Sequence, residues 1–262
     1  MLSLGAAPTP YHVYDGYGAF VGSVANLSAV QRLLRDDQMQ AVQTTEGRAL
    51  LGVWICNFLD ASLGPHHELQ FSIFVSQTKI DDLSSHPLNL LNIMTTRPDI
   101  QMMCHGLWNT TPLAVAYNRE LLNLNARLSS SEIEYDDEQF KFRITDPATG
   151  SLICEGKFNK PGKASLRASF SLLGRMGLRQ ARRVNQQPWL GLQIVNPVTR
   201  LVPNNRAAQS FAKNDADRLR YFDPRTDSIV LKDTPYALLQ FEPQFVQHMQ
   251  GFKFVYLRPE GA

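Results

Sequence analysis

Leu50-Leu51-Gly52-Val53-Trp54-Ile55-Cys56-Asn57-Phe58, then Leu63-Gly64-Pro65-His66-His67, then Glu68-Leu69-Gln70-Phe71-Ser72-Ile73-Phe74-Val75: these three pieces decide the fold. The first is an unbroken apolar run with Val53, Trp54 and Ile55 at its centre, the signature of a strand covered on both faces. The second holds a Gly-Pro turn. The third alternates, so that Leu69, Phe71, Ile73 and Val75 point one way while Glu68, Gln70 and Ser72 point the other.

The same pattern recurs further along. Phe140, Phe142 and Ile144 alternate, Asp146-Pro147-Ala148-Thr149-Gly150 supplies a turn, and the chain returns over 152–158. Short strands are also predicted over 166–172, 191–195, 228–231, 238–241 and 252–257. One helix stands out, with Asn26 or Ser28 as N-cap and Leu27, Val30, Leu33 and Leu34 on one face. Residues 79–113 are divided by Pro87, Pro98 and Pro112, with room for a short helix over 88–94. Strands at this density predict an α+β fold, mainly β. The expected form is an antiparallel sheet closed or partly closed into a barrel, with a few peripheral helices and a single domain over 1–262.

Composition narrows the function classes. The 262 residues are 44% hydrophobic, and 26 Lys+Arg stand against 24 Asp+Glu. That balance gives no global attraction for nucleic acid or an anionic membrane. The local basic cluster of Arg167, Arg175, Arg179, Arg182 and Arg183 reads as a solvated loop or a contact with an acidic partner subunit. Cys56, Cys104 and Cys154 form no C-x-x-C pair, and their odd number argues for buried, reduced thiols. The first residues carry neither a basic nor a sustained apolar segment, and no apolar run reaches the ~18–20 residues of a membrane span. A cytoplasmic protein is expected. With no P-loop, no G-x-G-x-x-G after a strand and no G-x-S-x-G, no cofactor is expected.

His66 and Glu68 share a face of an extended segment while His67 points away. A metal would need His105, His12 or Asp60 to join them, and none is expected. As an acid–base pair they can move a proton on and off a carbon acid, provided an apolar surround lifts the carboxyl toward neutrality.

Three stretches together resemble the acetoacetate decarboxylase family. They are residues 50–75; Ala114-Val115-Ala116-Tyr117-Asn118-Arg119-Glu120-Leu121 continuing to Asn125-Ala126-Arg127-Leu128; and Phe222-Asp223-Pro224 through Leu257. The resemblance implies a Schiff-base lysine, but counting from Arg119-Glu120-Leu121 that position falls on Ala126 and the second lysine's on Arg127. Alanine forms no imine, and arginine is no nucleophile at neutral pH. Glu68 matches one family glutamate, and the other falls on Val53. The family's substrate-binding arginine would lie near Tyr17, in a region without arginine up to residue 31. Lys141 and Lys157 lie in strand patterns, where a solvated face is expected.

The resemblance thus implies an enzyme that has left imine chemistry. Glu68 is its acid or base, His66 assists, and Arg127 stabilises negative charge. Arg119, Glu120, Tyr117, Trp54 and Asn125 are candidate substrate contacts, although Arg119 and Glu120 also suit a buried structural pair. The expected ligand is a small or polyketide-like carbonyl or carboxylate compound undergoing isomerisation, cyclisation, dehydration or hydrolysis. The alternative is a non-catalytic binding protein or a structural subunit. Family members of this kind assemble into homo-oligomers, and the same is expected here.

Overall fold

Tyr11–Asn26 forms one sixteen-residue strand, β1. In the computed structural model, which describes residues 2–6, 10–35, 39–84, 97, 99–160, 210–213 and 216–256, the chain then enters helix α1, Leu27–Leu33. The Asn26 side chain caps this helix by accepting from the Ala29 N–H at 2.9 Å. Strands β2 (Gln40–Ala41), β3 (Arg48–Ala61), β4 (His66–Ser76) and β5 (Gln101–Asn109) follow. Helix α2, Pro112–Glu120, starts from the Thr111 cap with Pro in its first turn. After it come β6 (Ala126–Leu128), β7 (Ser130–Tyr135), β8 (Gln139–Thr145) and β9 (Leu152–Asn159). The C-terminal part contributes β10 (Ser210–Lys213), β11 (Ala216–Tyr221), β12 (Ser228–Leu231), β13 (Glu242–Gln250) and β14 (Lys253–Tyr256).

Among the described residues these strands make two sheets. The larger has ten strands along the path β10-β14-β1-β3-β4-β5-β6, with β13 paired to β1 and β11, and β2 paired to β4. The smaller has the order β12-β9-β8-β7. All pairings are antiparallel except β5 with β6. Of the two expected forms, closed and partly closed, the described residues show the partly closed one: β6 and β10 end the path without meeting. The expected helix over 88–94, the strands over 166–172 and 191–195, and the arginine cluster lie outside the described residues.

Alternation of side chains divides the large sheet into two apolar faces. One carries Tyr11, Phe20, Trp54, Cys56, Phe58, Phe74, Cys104, Phe245 and Tyr256. The other carries Val21, Val53, Ile55, Leu69, Phe71 and Ile73, and packs on Phe140, Phe142, Ile144 and Phe158 of the small sheet. Two glycines permit the first face to form. A Cβ on Gly22 would collide with the Phe245 ring, and one on Gly52 with the Phe20 ring, which itself lies 4.3 Å from Trp54.

The strand expected over 238–241 is a 3₁₀ helix, Pro235–Leu239, with the strand beginning at Glu242. Tyr236 and Leu239 are buried while Leu238 is 76% exposed, an i, i+3 spacing that a strand cannot satisfy.

Arg220 on β11 locks the two sheets together. Its guanidinium grips Asp227 through Nη1–Oδ2 at 2.5 Å and Nη2–Oδ1 at 2.6 Å, and its Nε and Nη2 donate to the Asn159 carbonyl at 2.9 and 2.6 Å. Asp227 also accepts from the backbone N–H of Asn159 at 3.0 Å and of Asp223 at 2.8 Å.

Nearby, His248 of β13 is buried with Tyr135 stacked at 6.2 Å and Phe140 edge-on at 6.4 Å. Burial, reinforced by the Arg220 charge, lowers its pKa to about 4. The unfolded chain therefore binds a proton that the folded chain refuses, and stability falls as pH drops from about 6.5 toward 4, by about 3 kcal/mol in full. Urea unfolding is expected to show the stability of His248→Gln relative to the parent rising by most of this amount between about pH 7.5 and about pH 4.5.

Candidate functional site

The register of β3, β4 and β5 builds the site. Glu68 lies opposite Cys56 on one side and Asn109 on the other, and Gln70 lies opposite Trp54 and Leu107. His66, Glu68, Gln70 and Ser72 therefore form a buried polar row down the middle of the face that carries Trp54 and Cys56. Gln70 Nε2 donates to Ser72 Oγ at 2.7 Å within that row.

Glu68 is 7% exposed, and its Oε2 accepts from Asn109 Nδ2 at 3.0 Å. Asn109 Oδ1 in turn accepts from Asn118 Nδ2 at 2.9 Å. The two amides thus form a directed chain from α2 through β5 to the carboxyl. Burial raises the Glu68 pKa to about 7, and the Asn109 bond, which favours the ionised form, opposes that rise. Tyr11, Tyr256, Cys56 and Cys104 surround it, and burial together with the Glu68 charge pushes their pKa values well up. They are neutral neighbours at pH 7. A carboxyl poised near neutrality is present in both protonation states and can serve as acid or as base.

His66 is also buried on this face. Its Nδ1 is 2.8 Å from the Gly64 carbonyl oxygen and its Nε2 is 3.0 Å from Tyr11 Oη. Burial lowers its pKa, and His67 beside it lowers it further. His67 itself turns away and meets Ser131 Oγ at 2.6 Å. Tyr117 is fully buried, with its ring 5.5 Å from that of Tyr11. Trp54 is buried with its Nε1–H unpartnered among the described residues.

The structure therefore brings Glu68, His66, Trp54 and Tyr117 onto one face. It does not bring the others there. Arg127 is exposed, pairs in register with Trp108, and its guanidinium sits 6.0 Å from the Trp108 ring on the opposite face. It turns away from Glu68, so stabilisation of charge beside Glu68 does not fit its placement. Arg119 and Glu120 are exposed and do not pair with each other. Arg119 Nε donates to the Ala126 carbonyl at 2.6 Å, and Glu120 accepts from the backbone N–H of Ser3 at 2.8 Å. Their positions at the last turn of α2 point both side chains outward, which corrects the buried pair expected from sequence. Asn125 is half-buried, and its carbonyl accepts from the Leu107 N–H at 3.3 Å.

Ala126 is fully buried and pairs with Leu107 on the Glu68 face. Val53, by contrast, belongs to the opposite apolar face. The residues of β3 that flank it on the Glu68 face, Gly52 and Trp54, offer no second acid. Among the described residues no lysine side chain is buried, and Lys141 and Lys157 face outward on the small sheet. His105 bonds Tyr236 Oη at 2.6 Å, and Tyr236 belongs to the opposite apolar face. No cluster of three metal-ligating side chains occurs among the described residues. All three cysteines are buried and unpaired.

No protein-family model and no curated protein matches the sequence. Solved structures do. Acetoacetate decarboxylase from Legionella pneumophila superposes with a TM-score of 0.58 at 10% identity, covering 96% of this chain and 86% of that one. The fold is that of acetoacetate decarboxylase. An acetoacetate decarboxylase-like enzyme from Sphingomonas wittichii superposes with a TM-score of 0.51 at 9% identity, over 96% of this chain and 91% of the other. The enduracididine biosynthesis enzyme MppR, in complex with pyruvate, gives 0.52 at 8% identity over 97% and 90%. Within the acetoacetate decarboxylase fold, sequence reasoning missed Tyr11, Asn109 and Asn118. Only the tertiary structure brings these residues to β4, from 41 residues and more away in sequence. Among the described residues no helix is long and apolar enough to cross a membrane.

Proposed function

We propose that the chain is an acid–base enzyme on the acetoacetate decarboxylase fold that acts without an imine. Its substrate is a small or polyketide-like carbonyl compound, which it isomerises, cyclises, dehydrates or hydrolyses. The observation that carries this reading is Glu68: a carboxyl buried among neutral side chains, hydrogen-bonded by Asn109 and held near pKa 7. A carboxylate of that strength is matched to removing a proton from carbon next to a carbonyl and returning it. Ala126 on the same face contributes a methyl group, and covalent capture of a ketone requires a primary amine. The MppR structure holds pyruvate, a small carbonyl compound, which supports the ligand class.

Two measurements test the proposal. Incubation with acetoacetate and borohydride is expected to leave every lysine unmodified by mass spectrometry, and a reduced adduct on any lysine would reinstate imine chemistry. Incubation with hydroxyacetone in D2O is expected to exchange its α-hydrogens faster than buffer alone. A rate no higher than buffer rejects acid–base catalysis.

A further inference from the structure

We propose that Tyr11 is the second catalytic residue of this site: it takes a proton from a ligand hydroxyl and passes its own to His66, which makes the substrate an enol or an α-hydroxy carbonyl compound. The inference rests on the acid–base reading of Glu68 and extends it to the oxygen end of the substrate.

The argument begins with the two nitrogens of His66. Nδ1 lies 2.8 Å from the Gly64 carbonyl oxygen, which can only accept, so Nδ1 carries the hydrogen. A neutral imidazole has one N–H, and burial keeps this one neutral. Nε2 is therefore bare and accepts the Tyr11 O–H at 3.0 Å. With Phe58 edge-on at 5.0 Å, the ring has no nitrogen left to touch a ligand. The polar outlet of the pair is Tyr11 Oη, which has given away its hydrogen and keeps lone pairs that accept. A ligand meets it best with a hydroxyl. The Tyr11 ring is fixed by Tyr117 at 5.5 Å, Phe254 at 5.2 Å and Tyr256 at 6.3 Å, on the face that carries Glu68.

The step balances without a co-reactant. In the enol-to-ketone direction the ligand O–H bond breaks and its proton moves to Tyr11 Oη. The former Tyr11 proton moves to His66 Nε2, giving an imidazolium whose Nδ1–H stays on Gly64. The oxygen electron pair closes C=O, and the C=C pair takes the proton of the Glu68 carboxyl, leaving a carboxylate. Water then removes one proton from the Tyr11–His66 pair and returns one to Glu68. Tyr11 and Glu68 are the catalytic residues, and His66 is a positioning and proton-accepting residue behind Tyr11.

The test is α-hydrogen exchange of hydroxyacetone in D2O with the parent, Tyr11→Phe, His66→Gln and the double variant. Glutamine still offers Tyr11 a hydrogen-bond partner but takes no proton. Both single variants are expected to lose roughly 100-fold or more, and the double variant no more than the worse single one, because a relay is broken once. Tyr11→Phe exchanging at the parent rate while Glu68→Gln is inactive overturns the relay and leaves the Glu68 reading standing. A parent that does not exchange overturns both. Side-chain 15N spectra of His66 give an independent arm. The hydrogen is expected on Nδ1, with the Nε2 resonance moving in Tyr11→Phe, and a hydrogen found on Nε2 overturns the relay whatever the exchange rates.

Discussion

Glu68→Gln is expected to lower turnover of an enolisable carbonyl compound by roughly 10²–10⁴-fold and, above neutral pH, to make the protein more stable than the parent. The two effects share one cause. Glutamine keeps an oxygen for the Asn109 Nδ2–H but can neither give nor take the proton. The buried carboxyl, with its pKa raised to about 7, holds its proton in the folded state between pH 4.5 and 7, where the unfolded chain has already lost it. Stability therefore falls as pH rises through that interval, and above it the full cost of burying the charge, about 3 kcal/mol, is present. Urea unfolding at about pH 8 should show Glu68→Gln ahead of the parent, with the gap closing near pH 4. A variant no more stable at pH 8 would mean that Glu68 is solvated, and its poise near neutrality would go with it.

Arg220→Ala is expected to destabilise the fold by about 3–5 kcal/mol, because it leaves the fully buried Asp227 carboxylate without its cation. The guanidinium bridges both Asp227 oxygens and the Asn159 carbonyl, so one side chain holds β11 of the large sheet to the end of β9 in the small one. Arg220→Lys should recover only part of the loss, since an ammonium cannot make the paired contact. Replacing both partners with apolar residues should cost less than Arg220→Ala alone. Denaturant titration of the three variants checks this ordering, and a cost below about 1 kcal/mol for Arg220→Ala would show that the pair is exposed to water.

The centre of the fold is written in the alternation of 68–75, which sets Glu68 and His66 on one side and Leu69 and Phe71 on the other, as the structure has them. The helix start is legible too, since it depends on adjacent residues: the sequence offers Asn26 or Ser28 as N-cap, and the structure uses Asn26. Strand β1 is not. Gly16, Gly18 and Gly22 break its periodicity, and the reason they are glycine lies elsewhere, in the Phe245 ring and the neighbouring strand that occupy the space of a side chain. The orientation of Arg127 depends on β6 running parallel to β5. Asn123, at φ 53°, turns the chain back for that pairing, and a short polar side chain tolerates this conformation. Nothing local announces it. The partners of Glu68 escape for a similar reason: Asn109 and Asn118 look like ordinary polar residues until pairing sets them against a buried acid.

Strand β1 takes β3 on one edge, while its other edge is divided between β13 and β14. Among the described residues, the outer edge of 11–26 is thus covered by residues 242–256, far along the chain. During synthesis the outer edge of β1 waits uncovered until those residues leave the ribosome, and folding must close a loop of more than two hundred residues to cover it. A nascent or truncated chain stopping short of 242 offers other polypeptides a long, apolar strand edge, which makes such species targets for holdase chaperones and seeds for inclusion bodies.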